Sequence, residues 1–398
     1  DVSAPGGPRN EEDKDAQEDF QIANLLFGQI FDQTIQHQTL YAAGAGFAAD
    51  ESSVGGLITY DASKSAPNPN PLGRLVYPNE NGFAVQVSGT TAFLGLTDFL
   101  KVVNVSTPSS PEEIASLPVA TNALALSGTT LFDGTGDGRL VVFDVSNAAM
   151  PIQVASIPIA GPANNMRIAG NLLFIADGPQ GLLVFDVSQP VSPILLSKFS
   201  LSAPIWDVAP SGTVALWASD ALGLVTVVIS NPVQIKQLSQ TMLPLFNPFP
   251  QVQAISTLNL AISVATQNGL AYVGTIGVPA DDDDIVNAAL VTFDFTQASS
   301  PRLVGFRRYL GSEIAVITPA GNNLFMEEDG IENQIDNSFP YNSIELQDPP
   351  LALISNLALH GNVRSATGFL HSKLNRNQKV LARPEVKRQV RSIRGGSH

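Results

Sequence analysis

The chain has 398 residues, 44% hydrophobic and 14% charged, with 32 Gly, 28 Pro and no Cys, and its mean hydropathy is +0.13. That composition excludes a disordered chain, a disulfide scaffold, a thiolate metal site and thiol catalysis, and no apolar run is long enough to span a membrane. The net charge of −15 is unevenly spread: residues 363–398 hold nine Lys/Arg against the single Glu385, leaving 12 basic against 35 acidic residues before them, and so acidic a body disfavours nucleic acid and anionic lipid.

In chain order, residues 1–28 read as an acidic arm, EEDKDAQEDFQIANLLF, in which Phe20, Leu25 and Phe27 suit docking on a blade of the repeat region. Its first residues show neither the basic start nor the apolar stretch of a signal peptide. From residue 29 one phrase recurs with a period of about 40 residues. It opens as GGLITYDASKSAPNPNPLGRLVYP and is clearest in TAFLGLTDFLKVVNVSTPSSPEEIASLPVATNALALSG (91–128) and TLFDGTGDGRLVVFDVSNAAMPIQVASIPIAGPANNMRIAG (130–170). It continues in NLLFIADGPQGLLVFDVSQPVSPILLSKFSLSAPIWDVAPSG (171–212), in a degenerate VVIS, in ALVTFDFTQASSPRLVGFRRYLG and in SIELQDPP. Anchored on its D/N-V-S corner, the units carry Asp61, Asn104, Asp144, Asp186, Ile229, Asp294 and Leu346, which makes seven.

Each unit reads as four short strands rich in Val, Ile, Leu and Phe, broken by Gly, Pro, Ser and Asn turns, with no helical period of useful length. Seven such units specify an all-β fold, a seven-bladed β-propeller of four-stranded antiparallel blades over residues 29–362. Matching QIFDQTIQHQTLYAAGAG to PIWDVAPSGTVALWASD places an innermost strand near Ile30–Gln36, so the ring closes by packing blade 7 on blade 1 with no exchanged strand. Residues 363–398 form a basic tail interrupted by Pro384, ordered on a partner if at all, and Gly395–His398 resembles the start of an affinity tag.

The phrase G-L-x-V-x-D-V-S-x-P-x-x-P, followed by an apolar strand and a turn, resembles the bacterial LVIVP-repeat propellers. The resemblance implies the propeller fold and a secreted or surface-bound setting, here extracellular, at the cell surface or periplasmic. It does not imply an activity.

Chemistry can sit in three places. The corner aspartates are turn chemistry, the side-chain oxygen accepting nearby backbone N–H groups, and the sequon at Asn104 falls within that turn. The insertions all fall between second and third strands: 46–55 in blade 1, 275–287 in blade 6 and 327–342 in blade 7. Those blades are neighbours in a closed ring, so Asp281, Asp282, Asp283, Asp284, Glu327, Glu328 and Asp329 should share one acidic sector. Phe246 and Phe249 in the connection 241–253 would lie beside it as an apolar ridge. Solvated loops, a Ca²⁺ site and a dock for a basic segment remain open there. The chain's own tail, with Arg383, Lys387 and Arg388, is a natural ligand within one molecule or between copies.

The third place is the channel mouth, where Asp32, Asn122, Asn165, Asp207 and Glu313 stand near the starts of innermost strands. These positions resemble, in type and place, the Ca²⁺ ligands of calcium-dependent propeller hydrolases and lactonases, which would imply a metal that activates water. No P-loop, nucleophile elbow or histidine metal motif occurs, and Trp206 and Trp217 read as blade packing. The reading adopted is a non-catalytic, extracellular or surface interaction and assembly module that binds a protein partner or a neighbouring copy. The alternative is the calcium-dependent hydrolase.

Overall fold

The structure, a computed structural model, describes residues 29–47, 53–63, 71–243, 258–278, 288–309, 314–321, 323–327 and 341–345. Blade 1 is β1 (Gln29–Gln36), β2 (Thr39–Phe47), β3 (Ser53–Asp61) and β4 (Pro71–Pro78), and blade 2 is β5 (Gly82–Ser88), β6 (Thr91–Leu96), β7 (Leu100–Asn104) and β8 (Glu112–Leu117). Blade 3 is β9 (Thr121–Ser127), β10 (Thr130–Thr135), β11 (Arg139–Asp144) and β12 (Ile152–Pro158), and blade 4 is β13 (Asn165–Ala169), β14 (Leu172–Ala176), β15 (Leu182–Asp186) and β16 (Ile194–Phe199). Blade 5 is β17 (Asp207–Ser211), β18 (Val214–Ser219), β19 (Gly223–Val228) and β20 (Lys236–Thr241). Blade 6 is β21 (Leu258–Gln267), β22 (Leu270–Val278), β23 (Ala288–Asp294) and β24 (Arg302–Tyr309), and blade 7 contributes β25 (Ile317–Ala320), β26 (Asn323–Glu327) and β27 (Tyr341–Glu345).

Every sheet is antiparallel with neighbours in sequence order, six of them four-stranded and the last three-stranded among the described residues. Packing explains why the strands read as nearly unbroken apolar runs. Each blade is covered on both faces, so alternate residues of one strand enter different cores. In β14, Leu173 and Ile175 pack with blade 3, while Phe174 and Ala176 pack with Trp217 and Val225 of blade 5. The seven cores between successive blades include one that joins Phe325 of blade 7 to Ile30, Leu40, Ala42, Ile58 and Tyr60 of blade 1. Gln33 strengthens that joint, its Nε2 donating to the Phe325 carbonyl at 3.0 Å. Blade 1 is built from four consecutive strands, as the sequence reading requires for a ring without an exchanged strand.

The turns obey the repeat. Two residues before each second strand the backbone is left-handed, at Gly89, Gly128, Gly170, Gly212 and Gly321, and at His37 (φ 57°) and Asn268 (φ 52°) where glycine is replaced. The corner side chains accept from the amide two residues on: Asp61 Oδ1 from Ser63 at 2.9 Å, Asn104 from Ser106 at 3.0 Å, Asp144 from Ser146 at 2.9 Å, Asp186 from Ser188 at 2.8 Å and Asp294 from Thr296 at 3.0 Å. The ladder corrects two anchors by one residue. Val228, not Ile229, pairs with Val214 as Asp186 pairs with Leu172, and Glu345 pairs with Asn323, one place before Leu346. Leu346 itself lies outside the described residues.

Candidate functional site

The innermost strands meet at the axis, and each begins with an extra residue set against the second strand. In blade 1 the register skips from Ile30 to Asp32, which singles out Phe31. In blades 2, 3 and 6 it singles out Phe83, Asn122 and Ile262. Asn164 and Trp206 occupy the same place in blades 4 and 5, each donating its amide to the carbonyl that opposes the next residue (Ala176 at 2.7 Å, Ala218 at 2.9 Å). Counting back from Ile317 puts Ala315 there in blade 7. Phe31, Phe83, Trp206, Ile262 and Ala315 fall in one cluster with Ala45, Ala221, Leu260 and Ile276, a set that spans five blades and so closes over the axis. The Phe31 and Phe83 rings are 5.2 Å apart, centroid to centroid. The mouth is therefore largely apolar, with Asn122 and Asn164 as its polar members.

Of the polar residues expected to face the channel, Asn122 does, whereas Asp32, Asn165 and Asp207 stand one place later and turn into the ring. Asp32, buried, accepts from the Val85 amide of blade 2 at 2.9 Å. Asp207, buried, accepts from the Val264 amide of blade 6 at 2.9 Å and from its neighbour Val208 at 2.8 Å. Each carboxylate thus ties its own blade to the next, in a charge-assisted bond shielded from water. Asn165 accepts from Arg167, whose guanidinium also donates to the Met166 carbonyl at 3.0 Å and lies 3.9 Å from Asp207 Oδ1. A cation already stands between two of the proposed metal ligands, an environment that opposes a divalent ion rather than inviting one. No group of three His, Asp or Glu suited to a metal occurs among the described residues. Glu313 lies outside them.

The other candidate place is the face carrying the loops between second and third strands. In blades 2 to 5 these run only from Leu96 to Leu100, Thr135 to Arg139, Ala176 to Leu182 and Ser219 to Gly223, whereas the three long ones join β2 to β3, β22 to β23 and β26 to β27. In blades 1 and 6 the ladder also runs on. Pairing continues past Gly44↔Gly56 to Phe47↔Ser53, and Ile276, Gly277 and Val278 pair with Leu260, Asn259 and Leu258. That is three residues beyond the level reached in blades 2 to 5, or about 10 Å of extra ladder, formed by β2 with β3 in blade 1 and by β22 with β21 in blade 6. Glu327 ends β26 opposite Tyr341. Asp281, Asp282, Asp283, Asp284, Glu328, Asp329, Phe246, Phe249, Arg383, Lys387 and Arg388 lie outside the described residues, as do both terminal segments.

Four buried acids among the described residues escaped the sequence reading: Glu80, Asp133, Asp177 and Asp220. Asp133, in mid-strand on β10, takes a 2.9 Å hydrogen bond from the Thr121 hydroxyl. Asp177 opens the turn DGPQG of blade 4 at 1% exposure, neither of its oxygens having an aligned hydrogen-bond partner among the described residues. Burial pushes its carboxyl up to about 7, against the pull of Lys198 and of the Gly161 amide. Trp217 is packed within the interface of blades 4 and 5, edge-on to Phe199 at 5.5 Å, whereas Trp206 belongs to the axial cluster and not to blade packing.

Comparison with known proteins bears on fold and family. A model of the LVIVD repeat matches residues 83–118, 120–157 and 160–200. Those are blades 2, 3 and 4, and in blade 3 the third strand reads LVVFD, so the corner aspartate rather than a proline closes the signature. No curated protein matches the chain in sequence. Among solved structures, U3-55K is 12% identical with a TM-score of 0.56, covering 77% of this chain and 90% of that one. Sqt1 of Saccharomyces cerevisiae is 12% identical at 0.51, covering 75% and 80%, and a protein from Lactobacillus plantarum is 13% identical at 0.52, covering 70% and 84%. At such identities the likeness is one of fold alone. The chain is a seven-bladed β-propeller whose second, third and fourth blades match the LVIVD repeat.

Proposed function

We propose that the chain is a non-catalytic interaction module, acting outside the cell or at its surface, that binds a basic protein segment on the face bearing its long acidic loops. The observation that carries this reading is the lengthened ladder of blades 1 and 6, between β2 and β3 in the one and between β21 and β22 in the other. Its first pairs, with Ala45, Leu260 and Ile276, pack on the axial cluster, and the ladder past them makes sense as a rigid mount for what it carries. What it carries in sequence is acidic: Asp50 and Glu51 in one insertion, Asp281–Asp284 in the other. The apolar mouth on the same face, with Arg167 beside Asp207 and Asn165, supports binding over metal-assisted hydrolysis.

Electrostatics would set partner choice and association rate, and the +8 tail supplies one such segment on the chain itself. Light scattering of the full chain and of a chain ending at Asn362, at low and high salt and with or without EDTA, tests this. Tail-dependent, salt-sensitive association is expected. Association that needs calcium instead, or none that the tail or salt affects, would refute the tail as ligand.

A further inference from the structure

The outer strand of each of the six four-stranded blades ends its sheet, and such an unpaired edge is a liability that proteins blunt with charge or proline. The repeat allows the blades to be compared position by position. The first residue of the fourth strand, opposite the corner, is Glu112 in blade 2, Lys236 in blade 5 and Arg302 in blade 6, while β4 begins with Pro71. In blades 3 and 4 the same position is Ile152 and Ile194, 54% and 58% exposed. Met150 (62%), Val191 (61%) and Leu195 (50%) extend this apolar surface. The fold does not require apolar residues here, since three other blades place charges at the same point.

The two blades form one strip. The turn before a fourth strand lies against the outer strand of the preceding blade: Ser239 Oγ donates to the Ala298 carbonyl at 2.9 Å, and a Cβ on Gly73 would come within 2.5 Å of the Pro108 carbonyl. The repeat carries the same contact from blade 3 to blade 4. Residues 145–160 and 187–200 hold no Asp or Glu, and Lys198 is their one charge.

We propose that the rim of blades 3 and 4 is a self-association surface, on which a second copy of the chain seats its own rim with β12 and β16 side by side. The occupant follows from charge. Two molecules of net −15 repel one another over most of their surfaces. The outer strands themselves carry no acid, the nearest carboxylates being the corner Asp144 and Asp186 opposite Ile152 and Ile194, so the edges that would meet carry no repelling charge, and one edge meeting its own copy is the self-complementary contact a two-fold dimer needs. The surface differs from the acidic loop face and does not depend on it.

The test is the mass of the full chain by light scattering at low and high salt, beside the double variant Ile152→Lys, Ile194→Lys. Lysine already serves at this position in blade 5, so the variant should keep the native circular dichroism and melting temperature. At high salt, and in the chain ending at Asn362, the expected result is a dimer that the two lysines reduce to a monomer, whereas a larger assembly of the full chain at low salt belongs to the tail. A native chain that stays monomeric at its solubility limit, or a dimer that survives the lysines, would overturn the proposal. So would a monomer that floats with neutral lipid vesicles only while the isoleucines are present. An assembly abolished by tail removal or salt alone would sink it while leaving the loop-face reading intact.

Discussion

Replacing Asp177 with Ser should stabilise the protein above neutral pH and make little difference in acid. The native carboxyl is buried and lifted from 3.8 to about 7. Between those values the folded chain keeps a proton that the unfolded chain has released, so stability falls as pH rises from about 4 through 7 and the whole penalty is present at pH 8. Three pKa units correspond to a ceiling of about 4 kcal/mol at about 1.4 kcal/mol each. Water entering an opening turn lowers the realistic figure to about 2 kcal/mol. Blade 5 supplies the precedent: Ser219 holds the corresponding place and donates to the Pro204 carbonyl at 2.9 Å. Urea unfolding of the native chain and the variant at pH 4.5 and pH 8 measures the effect. An equal difference at both pH values, or a loss of stability at pH 8, would refute the assignment of a strained buried carboxyl.

Two further outcomes are expected. Asp32→Ala and Asp207→Ala should each cost about 1.5–3 kcal/mol in urea unfolding, because each strands a buried amide of the next blade, and added calcium should leave both losses unchanged; a stabilisation by calcium that the native chain shows and both variants lack would restore the hydrolase reading. The corner carboxyls of Asp144 and Asp186 are held below the ordinary range by the amides of Ser146 and Ser188, and that of Asp294 first by the Thr296 hydroxyl. Their contribution is present above the ordinary aspartate value and lost as pH falls through the lowered ones. Changing all three to Asn, which already makes this turn at position 104, should flatten the fall of melting temperature below pH 4, and an unchanged slope would count against the linkage.

The ring was legible because each blade is packed on both sides, which forces the same apolar phrase and the same corner into successive units. Where the corner residue is apolar, as at Val228, the eye settles on the wrong neighbour, and only the ladder fixes the register. The channel mouth was misjudged for a related reason. Phe31 and Asp32, like Trp206 and Asp207, are adjacent, and which of the two faces the axis depends on an extra residue in the strand that no alternation of polar and apolar residues reveals. Asp177 was hidden in the turn phrase DGPQG, whose composition reads as solvent-exposed. The three long loops were placed by simple arithmetic, since lengths between recurring strands need no side-chain knowledge.

The joint between Phe325 and the first blade bears on how this ring comes apart. Propagating disorder around a ring normally means breaking two interfaces at once, but a ring whose first blade borrows no strand can part at one seam while each neighbouring pair of sheets stays docked. Among the described residues the seam holds the Phe325 core, the Gln33 hydrogen bond and the axial cluster that joins Ala315 to Phe31. Amide exchange should therefore be fastest along β1 and β26 and slow progressively toward blade 4, and a permuted chain with its ends moved between blades 3 and 4 should carry its weakest link there instead.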